Sequence, residues 1–185
     1  MISAANKPPT TEPTSSVILE SPIGDLLVEA DAEGLRALRF LSASGEVKSP
    51  RQTRHLPPAA SEAGPGQRWL EAAAQQLTEY FAGNRRTFDL PFSLRGTPFH
   101  DAVWQKLAEI EFGQTWSYGH LATRLGRPRA VRAVGRANGL NPLPILLPCH
   151  RVIGGDGTLT GYAGGLARKR WLLDHEQSLG PLWQQ

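Results

Sequence analysis

Residues 117–142 read SYGHLATRLGRPRAVRAVGRANGLNP, and this stretch decides how the second half of the chain folds. The pattern predicts a short helix over Ser117–Leu125, a tight turn over 126–128 and a second helix over Arg129–Asn138. Two short helices joined by a turn that contains glycine form the outline of a helix-turn-helix. Many enzymes contain such a pair, so the outline alone does not establish a function.

The second predicted helix carries a basic face. Arg129, Arg132 and Arg136 share one side of it by their i, i+3, i+7 spacing. Small residues lie beside them, namely Ala130, Ala133, Gly135 and Ala137. Residues 117–140 contain five arginines and no acidic residue. Arginines next to small residues suit a nucleic-acid groove, but the same pattern suits close helix packing with solvated arginines. The helix alone does not separate these two interpretations.

Composition limits the class of protein. The chain has 185 residues, is 40% hydrophobic and carries a net charge of +3, which fits one domain or two small ones with a real core. No apolar run approaches the roughly 18 residues of a membrane helix, and the first residues lack a secretory signal. We therefore expect a cytoplasmic protein with no membrane partner.

Cysteine and histidine usage argues against a metal site. The chain contains one cysteine, which excludes an internal disulfide and a zinc site with several thiolate ligands. Its five histidines show no HxH or HxxxH spacing. No metal is expected.

The first half of the chain has a different pattern. Short apolar runs that glycine and proline interrupt predict a small antiparallel sheet. These runs lie at 17–19, 25–29 and 35–41. A polar, proline-rich loop over 42–66 leads to a predicted helix over 67–82, and Gly83 suits its C-terminal cap. A further helix is expected from Pro98, with Thr97 as its N-cap, to near Gly113.

These patterns divide the chain into three parts. Residues 1–16, rich in Pro, Thr and Ser, are expected to form a flexible leader. Residues 17–95 are expected to form an N-terminal α/β subdomain, and residues 96–185 a C-terminal subdomain. No catalytic cluster is recognised before residue 96.

The single cysteine lies in an unusual setting. Residues 141–152 read NPLPILLPCHRV, in which the apolar run Ile145–Leu147 resembles a buried strand that presents Cys149 at its end. A lone cysteine or histidine is more often structural than reactive. Cys149 followed at once by His150 favours a nucleophile with an adjacent base.

A thiol in this position needs help to react. A free thiol has a pKa of about 8.5 and is mostly protonated at neutral pH, so a base must remove its proton. Neighbouring side chains of an extended segment point to opposite sides, so transfer between Cys149 and His150 requires a bend or a bridging water. Glu176, at the end of the last predicted helix, is the leading carboxylate to orient the base. Asp156 and Asp174 are the alternatives.

Three motifs around this site resemble those of the O6-alkylguanine-DNA alkyltransferases, also called methylated-DNA–protein-cysteine methyltransferases, and in particular the bacterial stand-alone form. They are PCHRVIG at 148–154, TGYAGGL at 160–166 and KRWLLDHE at 169–176. Shorter matches occur upstream at 117–119, 132–135 and 141–142. The resemblance is dense over 97–177 and covers 17–95 in outline.

The resemblance implies an α/β fold in two parts. The first is a ribonuclease-H-like subdomain with a small antiparallel sheet, and the second is a helical, winged-helix-like subdomain that carries the DNA-binding and active sites. It also implies direct-reversal DNA repair. The protein would bind double-stranded DNA, flip out O6-alkylguanine and transfer the alkyl group irreversibly to its own cysteine, so that one molecule is consumed per lesion. No cofactor is implied, and the protein is expected to act as a monomer. Repair of O4-alkylthymine and cooperative binding along DNA are left open.

The resemblance also implies roles for individual residues. Cys149 would accept the alkyl group, and His150 would act as the base through a water molecule, oriented by Glu176. Asn141 would tie the recognition helix to the active-site segment. Tyr118 would help to rotate the target phosphate and stabilise the leaving guanine.

Further positions would contact the DNA and the flipped base. Arg132 would fill the gap that the flipped nucleotide leaves, while Arg129 and Arg136 are better placed for phosphates. The remaining groove contacts would come from Ser117, Ala130, Ala133 and Gly135. The main-chain carbonyls of Cys149 and Val152 and the amide of Ala163 would read the guanine edge. The base pocket would be formed by Pro144, Val152, Tyr162, Ala163 and Gly164. Arg151 is expected to brace the site rather than to react.

Two other functions fit parts of the pattern. A DNA-binding regulator with a vestigial site would keep the helix pair, but the presence of Cys149, His150, Asn141 and Glu176 together argues against it. A hydrolase based on cysteine, histidine and glutamate would turn over many times. The fate of Cys149 after exposure to methylated DNA separates all three.

Overall fold

The computed structural model describes most of the chain. The described residues are 14–41, 64–177 and, for the backbone alone, 55–56. The predicted leader falls largely outside them, as does most of the predicted loop over 42–66. Within the described residues, no helix is long and apolar enough to cross a bilayer.

Four strands form an antiparallel sheet in the order β3-β2-β1-β4. They are β1 (Ser15–Leu19), β2 (Leu26–Ala30), β3 (Leu35–Phe40) and β4 (His55–Leu56). Side chains alternate along β1, where Val17 and Leu19 are buried and Ile18 is exposed. The predicted antiparallel sheet is confirmed. Its first strand begins two residues inside the predicted leader, and β4 lies inside the predicted loop.

Helix α1 (Gln67–Phe81) packs against β1 and β2. Its apolar stripe, with Leu70, Leu77 and Tyr80 among its members, is buried as the helical spacing predicts. Gly83 follows in the left-handed conformation, with φ of 78°, and its N–H donates to the carbonyl of Tyr80. The helix therefore ends on glycine, as predicted.

The second half of the chain is mostly helical. It contains α2 (Pro98–Leu107), α3 (Tyr118–Arg124), α4 (Val131–Gly139) and α5 (Leu166–His175). A short parallel pair, β5 (Trp116–Ser117) and β6 (Val152–Ile153), joins two of its loops. Thr97 caps α2 by accepting from the N–H of His100, and Ser117 caps α3 by accepting from the N–H of His120. The Thr97 cap is the one that the sequence indicates, whereas Ser117, expected as the first residue of its helix, is the cap of α3.

Two helix boundaries differ from the prediction. Helix α2 ends at Leu107 instead of continuing to near Gly113. Helix α4 begins at Val131, so Arg129 lies in the turn before it and not on its face. The N–H of Ala130 donates to the carbonyl of Arg127 and closes that turn. The turn includes Arg129 and leaves Ala130 as the N-cap, so the helix starts two residues later than predicted.

The predicted strand over Ile145–Leu147 is wrong. This segment forms a turn in which the N–H of Leu147 donates to the carbonyl of Leu143, and Ile145 adopts a positive φ of 76°. The surrounding prolines have no N–H to donate to a strand ladder, so an apolar run between them folds as a buried turn. Cys149 consequently begins a short 3₁₀ helix (Cys149–Arg151) instead of ending a strand.

Arg168 of α5 joins the two halves of the molecule. Its guanidinium donates to the carbonyls of Ile23 and Gly164 and lies 4.6 Å from the ring centre of Phe40. The side chain is 1% exposed. A buried charge needs such partners, so this arginine fixes the sheet against the loop before α5.

We predict that Arg168→Met lowers the free energy of unfolding by about 2–5 kcal/mol, because it leaves two buried carbonyls without their charged donor. Urea unfolding measures this loss. Arg170→Met is the matched control, since Arg170 lies exposed on the same helix and its replacement should change stability little. Equal effects of the two substitutions would show that Arg168 does not join the two halves.

Candidate active site

Cys149 is held in a buried position at the start of the 3₁₀ turn. Its side chain is 4% exposed, and its N–H donates to the carbonyl of Leu147 at 2.7 Å. Burial raises the pKa of the Cys149 thiol to about 11, against smaller opposing effects of the Asn141 side chain and the Lys169 charge. The sulfur is therefore a thiol at neutral pH and depends on a base to become a nucleophile.

The neighbouring histidine contacts a carboxylate. His150 Nε2 lies 3.0 Å from Glu176 Oε1, and neither side chain is exposed. Burial lowers the pKa of His150, while the hydrogen bond and charge of Glu176 oppose the shift. His150 is thus neutral and able to accept a proton at neutral pH. Its Nδ1 is buried and has no hydrogen-bond partner among the described residues, which leaves that nitrogen for the thiol proton.

The structure brings Glu176, and neither alternative carboxylate, to the imidazole. Asp156 instead accepts from the backbone and hydroxyl of Thr158 in an exposed loop, and Asp174 is exposed. Glu176 follows the last residue of α5 as its C-cap. The placement fits the sequence expectation that this helix end delivers the carboxylate.

Arg151 forms two hydrogen bonds with the same carboxylate. Its Nε donates to Glu176 Oε2 at 2.7 Å and its Nη2 to Oε1 at 2.9 Å, while Nη1 donates to the carbonyl of Ile110. Burial alone would raise the pKa of Glu176, but the hydrogen bonds and charges of His150 and Arg151 hold it well below its ordinary value. Arg151 therefore braces the site, as the sequence analysis expects.

Lys169 is a member of the site that sequence reasoning missed. It is fully buried, and its Nζ donates to the carbonyls of Val152 and Thr160 at 2.6 and 2.7 Å. Burial lowers its pKa to about 8, while the charge of Cys149 opposes the shift. A cation here favours the thiolate form of Cys149. No sequence signal marks it, because a lysine on a charged helix is ordinarily exposed.

Two asparagines connect α4 to the cysteine segment. Asn141 donates to the carbonyl of Leu147 at 2.7 Å and accepts from the N–H of Leu143 at 3.0 Å. Asn138, buried on α4, lies 3.5 Å from the carbonyl of Cys149. The linking position implied for Asn141 is therefore the one it occupies, and Asn138 adds a second link.

Tyr118, at the start of α3, spans the loop before α5. Its hydroxyl lies 3.3 and 3.4 Å from the carbonyls of Thr160 and Gly161. A Cβ on Gly135 would lie 3.7 Å from its ring, an ordinary van der Waals distance, so α4 packs beside this tyrosine. Burial raises the pKa of Tyr118, which keeps its hydroxyl protonated.

Some of the groups expected to bind the flipped base already make hydrogen bonds within the protein. The carbonyls of Val152 and Cys149, expected to read a guanine edge, already accept from Lys169 and Asn138. A carbonyl oxygen has two lone pairs, so each retains one. The hydroxyl of Tyr162 is buried and has no hydrogen-bond partner in the described structure.

The remaining pocket residues lie between the two halves of the chain. Pro144 and Ala163 line a groove of ≈ 380 Å³ together with Asn141 and part of β3. Gly164 is buried, and a Cβ there would come within 2.6 Å of Phe40 and 2.7 Å of Tyr162. The sheet of the first half therefore forms one wall of this region.

The three arginines expected to contact DNA are all exposed. We call them the basic surface: Arg129, Arg132 and Arg136. The alanine row divides along α4. Ala133 is exposed, Ala130 is half-buried, and Ala137 is buried with its carbonyl accepting from Trp104 Nε1. One end of the helix thus packs inward and the other faces solvent. The hydroxyl of Ser117 is used as the cap of α3.

A further feature of the described residues is the arrangement of the side chains that could bind a metal ion. Among residues 14–41 and 64–177, no three histidine, cysteine, aspartate or glutamate side chains lie together in a way that could hold a metal ion.

Comparison with known proteins identifies relatives over nearly the whole described chain. Two family models match it. The model for the ribonuclease-like domain of 6-O-methylguanine DNA methyltransferase matches residues 17–94, and that for the DNA-binding domain of the same family matches residues 98–178. These matches confirm the expected two-part α/β architecture.

Curated proteins and solved structures of the same family also match the chain. The methylated-DNA–protein-cysteine methyltransferase of Methanosarcina barkeri is 42% identical over 161 residues, which cover 87% of this chain and 96% of the relative. That of Mycobacterium bovis is 45% identical over 163 residues, covering 88% and 92%. The crystal structure of Mycobacterium tuberculosis O6-methylguanine methyltransferase matches with a TM-score of 0.73 at 41% identity, covering 91% and 96%. A crystal structure of Mycobacterium tuberculosis OGT in complex with DNA matches at 0.71 and 42% identity, covering 87% and 91%.

We predict that Glu176→Gln destabilises the protein by about 3–5 kcal/mol at neutral pH, because the buried guanidinium of Arg151 loses its counter-charge. The pKa of Glu176 is lowered from 4.5, so its ionised form stabilises the fold above that pH and this stabilisation is lost as the pH falls below it. The difference in unfolding free energy between the two proteins should therefore shrink in acid.

Urea unfolding at about pH 7 and about pH 3.5 tests this. Asp174→Asn, on the exposed side of the same helix end, is the control and should change stability little at either pH. A difference for Glu176→Gln that stays constant with pH would contradict the assignment.

Proposed function

The chain belongs to the 6-O-methylguanine DNA methyltransferase family, and from this premise we propose that it repairs alkylated double-stranded DNA by transferring the alkyl group from guanine O6 to Cys149. Its enzyme class is that of its relatives, methylated-DNA–protein-cysteine methyltransferase. The observation that carries the proposal is the buried chain of Cys149, His150 and Glu176, in which a thiol adjoins a neutral imidazole held by a carboxylate at 3.0 Å.

The reaction is a displacement at carbon. His150 takes the thiol proton through a bridging water, since consecutive residues of the 3₁₀ turn make no direct side-chain hydrogen bond in the described structure. The sulfur then forms a bond to the alkyl carbon as the bond from that carbon to guanine O6 breaks. The guanine leaves with the electron pair and regains a proton, with Tyr118 as the hydrogen-bond donor that supports it.

The product explains why no cofactor is needed and why the protein acts once. A soft sulfur nucleophile attacks an alkyl carbon without electrophilic assistance from a metal. The thioether on Cys149 has no easy route back to a thiol. Each molecule is therefore consumed by one lesion. We propose separately that it acts as a monomer.

DNA would bind on the surface formed by α3 and α4. The basic surface neutralises phosphates and releases counterions, while the exposed Ala133 lets the backbone of α4 approach the groove. Guanine O6 lies inside the duplex, so the base must be rotated out to reach a thiol that is 4% exposed. We assign Arg132 to the gap left behind, with Arg129 and Arg136 on phosphates and Ser117, Ala130 and Gly135 along the same face.

The flipped base would enter beside Cys149. We assign its walls to Pro144 and Tyr162 and its hydrogen bonds to the carbonyls of Cys149 and Val152 and the amide of Ala163. Gly164 supports the proposal, because a larger residue would collide with Tyr162 and displace that wall.

The two parts of the chain have different roles. The part from residue 17 to 95 supports the site, and the part from 96 to 185 binds DNA and reacts. The proposed substrate is double-stranded DNA, and we place the protein in the cytoplasm.

We predict that Cys149→Ala abolishes methyl transfer from a duplex carrying O6-methylguanine but retains affinity for that duplex, because binding depends on the basic surface. Mass spectrometry of the wild-type protein should show one methyl group on Cys149, the sole cysteine of the chain. A binding-only regulator would gain no adduct, and a hydrolase would show none that lasts. Methyl transfer that persists in the variant would exclude Cys149 as acceptor.

We predict that Arg132→Ala slows repair of methylated duplex strongly but leaves reaction with free O6-benzylguanine nearly unchanged. Flipping costs a few kcal/mol of stacking and pairing, which an inserted arginine partly restores, whereas a free base needs no flipping. Single-turnover rates on both substrates and a melting curve of the same preparation measure this.

Arg132→Lys is the matched control for charge. It keeps the positive charge but loses the planar guanidinium that stacks in the gap, so it should stay slow on the duplex. Recovery of the duplex rate with lysine would mean that Arg132 contacts phosphate only. Equal loss on both substrates with a lowered melting temperature would mean that it supports the fold.

A further inference from the structure

We propose that Tyr80, on helix α1 of the first half of the chain, is a positioning residue of the active site that holds Glu176 in the orientation His150 requires. The inference rests on the proposed function, because it assigns Tyr80 to the same reaction. It gives the first half of the chain a part in the chemistry in addition to its support of the fold.

A direct contact carries the argument. The hydroxyl of Tyr80 donates to Glu176 Oε1 at 2.7 Å, and this is the same oxygen that lies 3.0 Å from His150 Nε2. Tyr80 is completely buried. Tyr80 and Glu176 are 96 residues apart in sequence, so the bond joins two separately formed elements. The orientation of Oε1 toward the imidazole is thus fixed from the side of α1.

The backbone of Tyr80 makes a second attachment to the same helix end. Its carbonyl accepts from His175 Nε2 at 2.7 Å, and the two rings lie 5.1 Å apart in an edge arrangement. His175 is the last residue of α5 and immediately precedes Glu176. Both the carboxylate and the residue before it are therefore attached to Tyr80.

The Tyr80 ring is held in place by aromatic neighbours. Phe81, Phe88 and Phe112 lie with ring centres 5.3, 5.4 and 6.3 Å from it. Phe112 also lies under the guanidinium of Arg151, 5.8 Å away. These contacts fix the position of the ring, and therefore the position of its hydroxyl beside Glu176 Oε1.

The bond should also affect proton affinity at His150. A donor on Oε1 shares the negative charge of the carboxylate and so weakens its pull on a proton of the imidazole. Burial raises the pKa of Tyr80 far above its ordinary value, so the hydroxyl remains a neutral donor. The other titratable or charged groups facing this pair are Cys149, Arg151, Tyr162, Lys169 and His175.

The test is Tyr80→Phe in the full chain, which removes the hydroxyl and keeps the ring. Single-turnover rates of methyl transfer are measured on duplex with O6-methylguanine, at saturating protein, across the pH range around the His150 transition. We expect the rate at neutral pH to fall about tenfold, as for loss of a hydrogen bond to a charged group. The acid limb of the pH profile should move to higher pH, because His150 then feels the full carboxylate charge.

Ser93→Ala is the matched control. The Ser93 hydroxyl donates to the buried carboxylate of Asp31 at 2.8 Å, also in the first half of the chain but outside the site. This variant should lower the unfolding free energy while leaving the rate and the pH profile unchanged. Tyr80→Phe with a wild-type rate and acid limb, or with the behaviour of Ser93→Ala, would overturn the inference.

A double-mutant cycle covers the case in which Tyr80→Phe is unstable. If Tyr80 acts through Glu176, adding Tyr80→Phe to Glu176→Gln should slow transfer no further, whereas a purely structural role predicts the full additional loss. Inactivity of the wild-type protein toward methylated duplex would instead refute the proposed function, and with it the role given to Tyr80. An active wild type with additive losses refutes the inference alone.

Discussion

The ionised carboxylate of Glu176 lies inside the protein, and most of the site depends on how its charge is satisfied. A buried charge is tolerated only when it is paired and fully hydrogen-bonded. Its two oxygens accept from Arg151 and Tyr80 and contact His150. Arg151 and His150 belong to the 3₁₀ turn and Tyr80 to α1. The carboxylate therefore forces α1, the 3₁₀ turn and the end of α5 to meet at one point. The position of the reactive cysteine follows from this meeting, because Cys149 begins that turn.

The same burial decides the protonation states of the reacting pair. Desolvation raises the pKa of Cys149 to about 11 and lowers that of His150, so the resting pair is a neutral thiol and a neutral imidazole. A thiol in this state resists oxidation and unwanted alkylation, because the thiolate is the reactive form. Lys169 and the carboxylate behind His150 then favour charge separation when a substrate is bound. Under the proposed single-turnover reaction, this protection preserves the only cysteine until the protein meets a lesion.

The basic surface is exposed and charged, whereas the active site around Cys149 is buried. Helix α4 contacts both. One face of this helix exposes Arg132 and Arg136, while Ala137 and Asn138 on the other face are buried against α2 and the cysteine segment. Helix α4 thus carries a solvated cationic surface on one face and contacts the segment of the buried cysteine with the other. Because asparagine side chains link the helix to the backbone on both sides of Pro148, a shift of α4 is transmitted to the position of Cys149.

The amino-acid sequence by itself determined the elements and the reactive motif. The short apolar runs of the sheet, the apolar stripe of α1 and the cap Thr97 depend on neighbours a few residues away, so local patterns predict them. The tertiary structure alone decided that Glu176 is the carboxylate that reaches His150.

Packing also gave Tyr80 and Lys169 places in the site that their sequence patterns do not reveal, and it turned Ile145–Leu147 from an expected strand into a turn. In the sequence, Tyr80 looks like an ordinary core residue of the apolar stripe of α1. Lys169 looks like an ordinary lysine of a charged helix. Their roles arise from contacts across tens of residues, and such contacts exist only once the elements have packed.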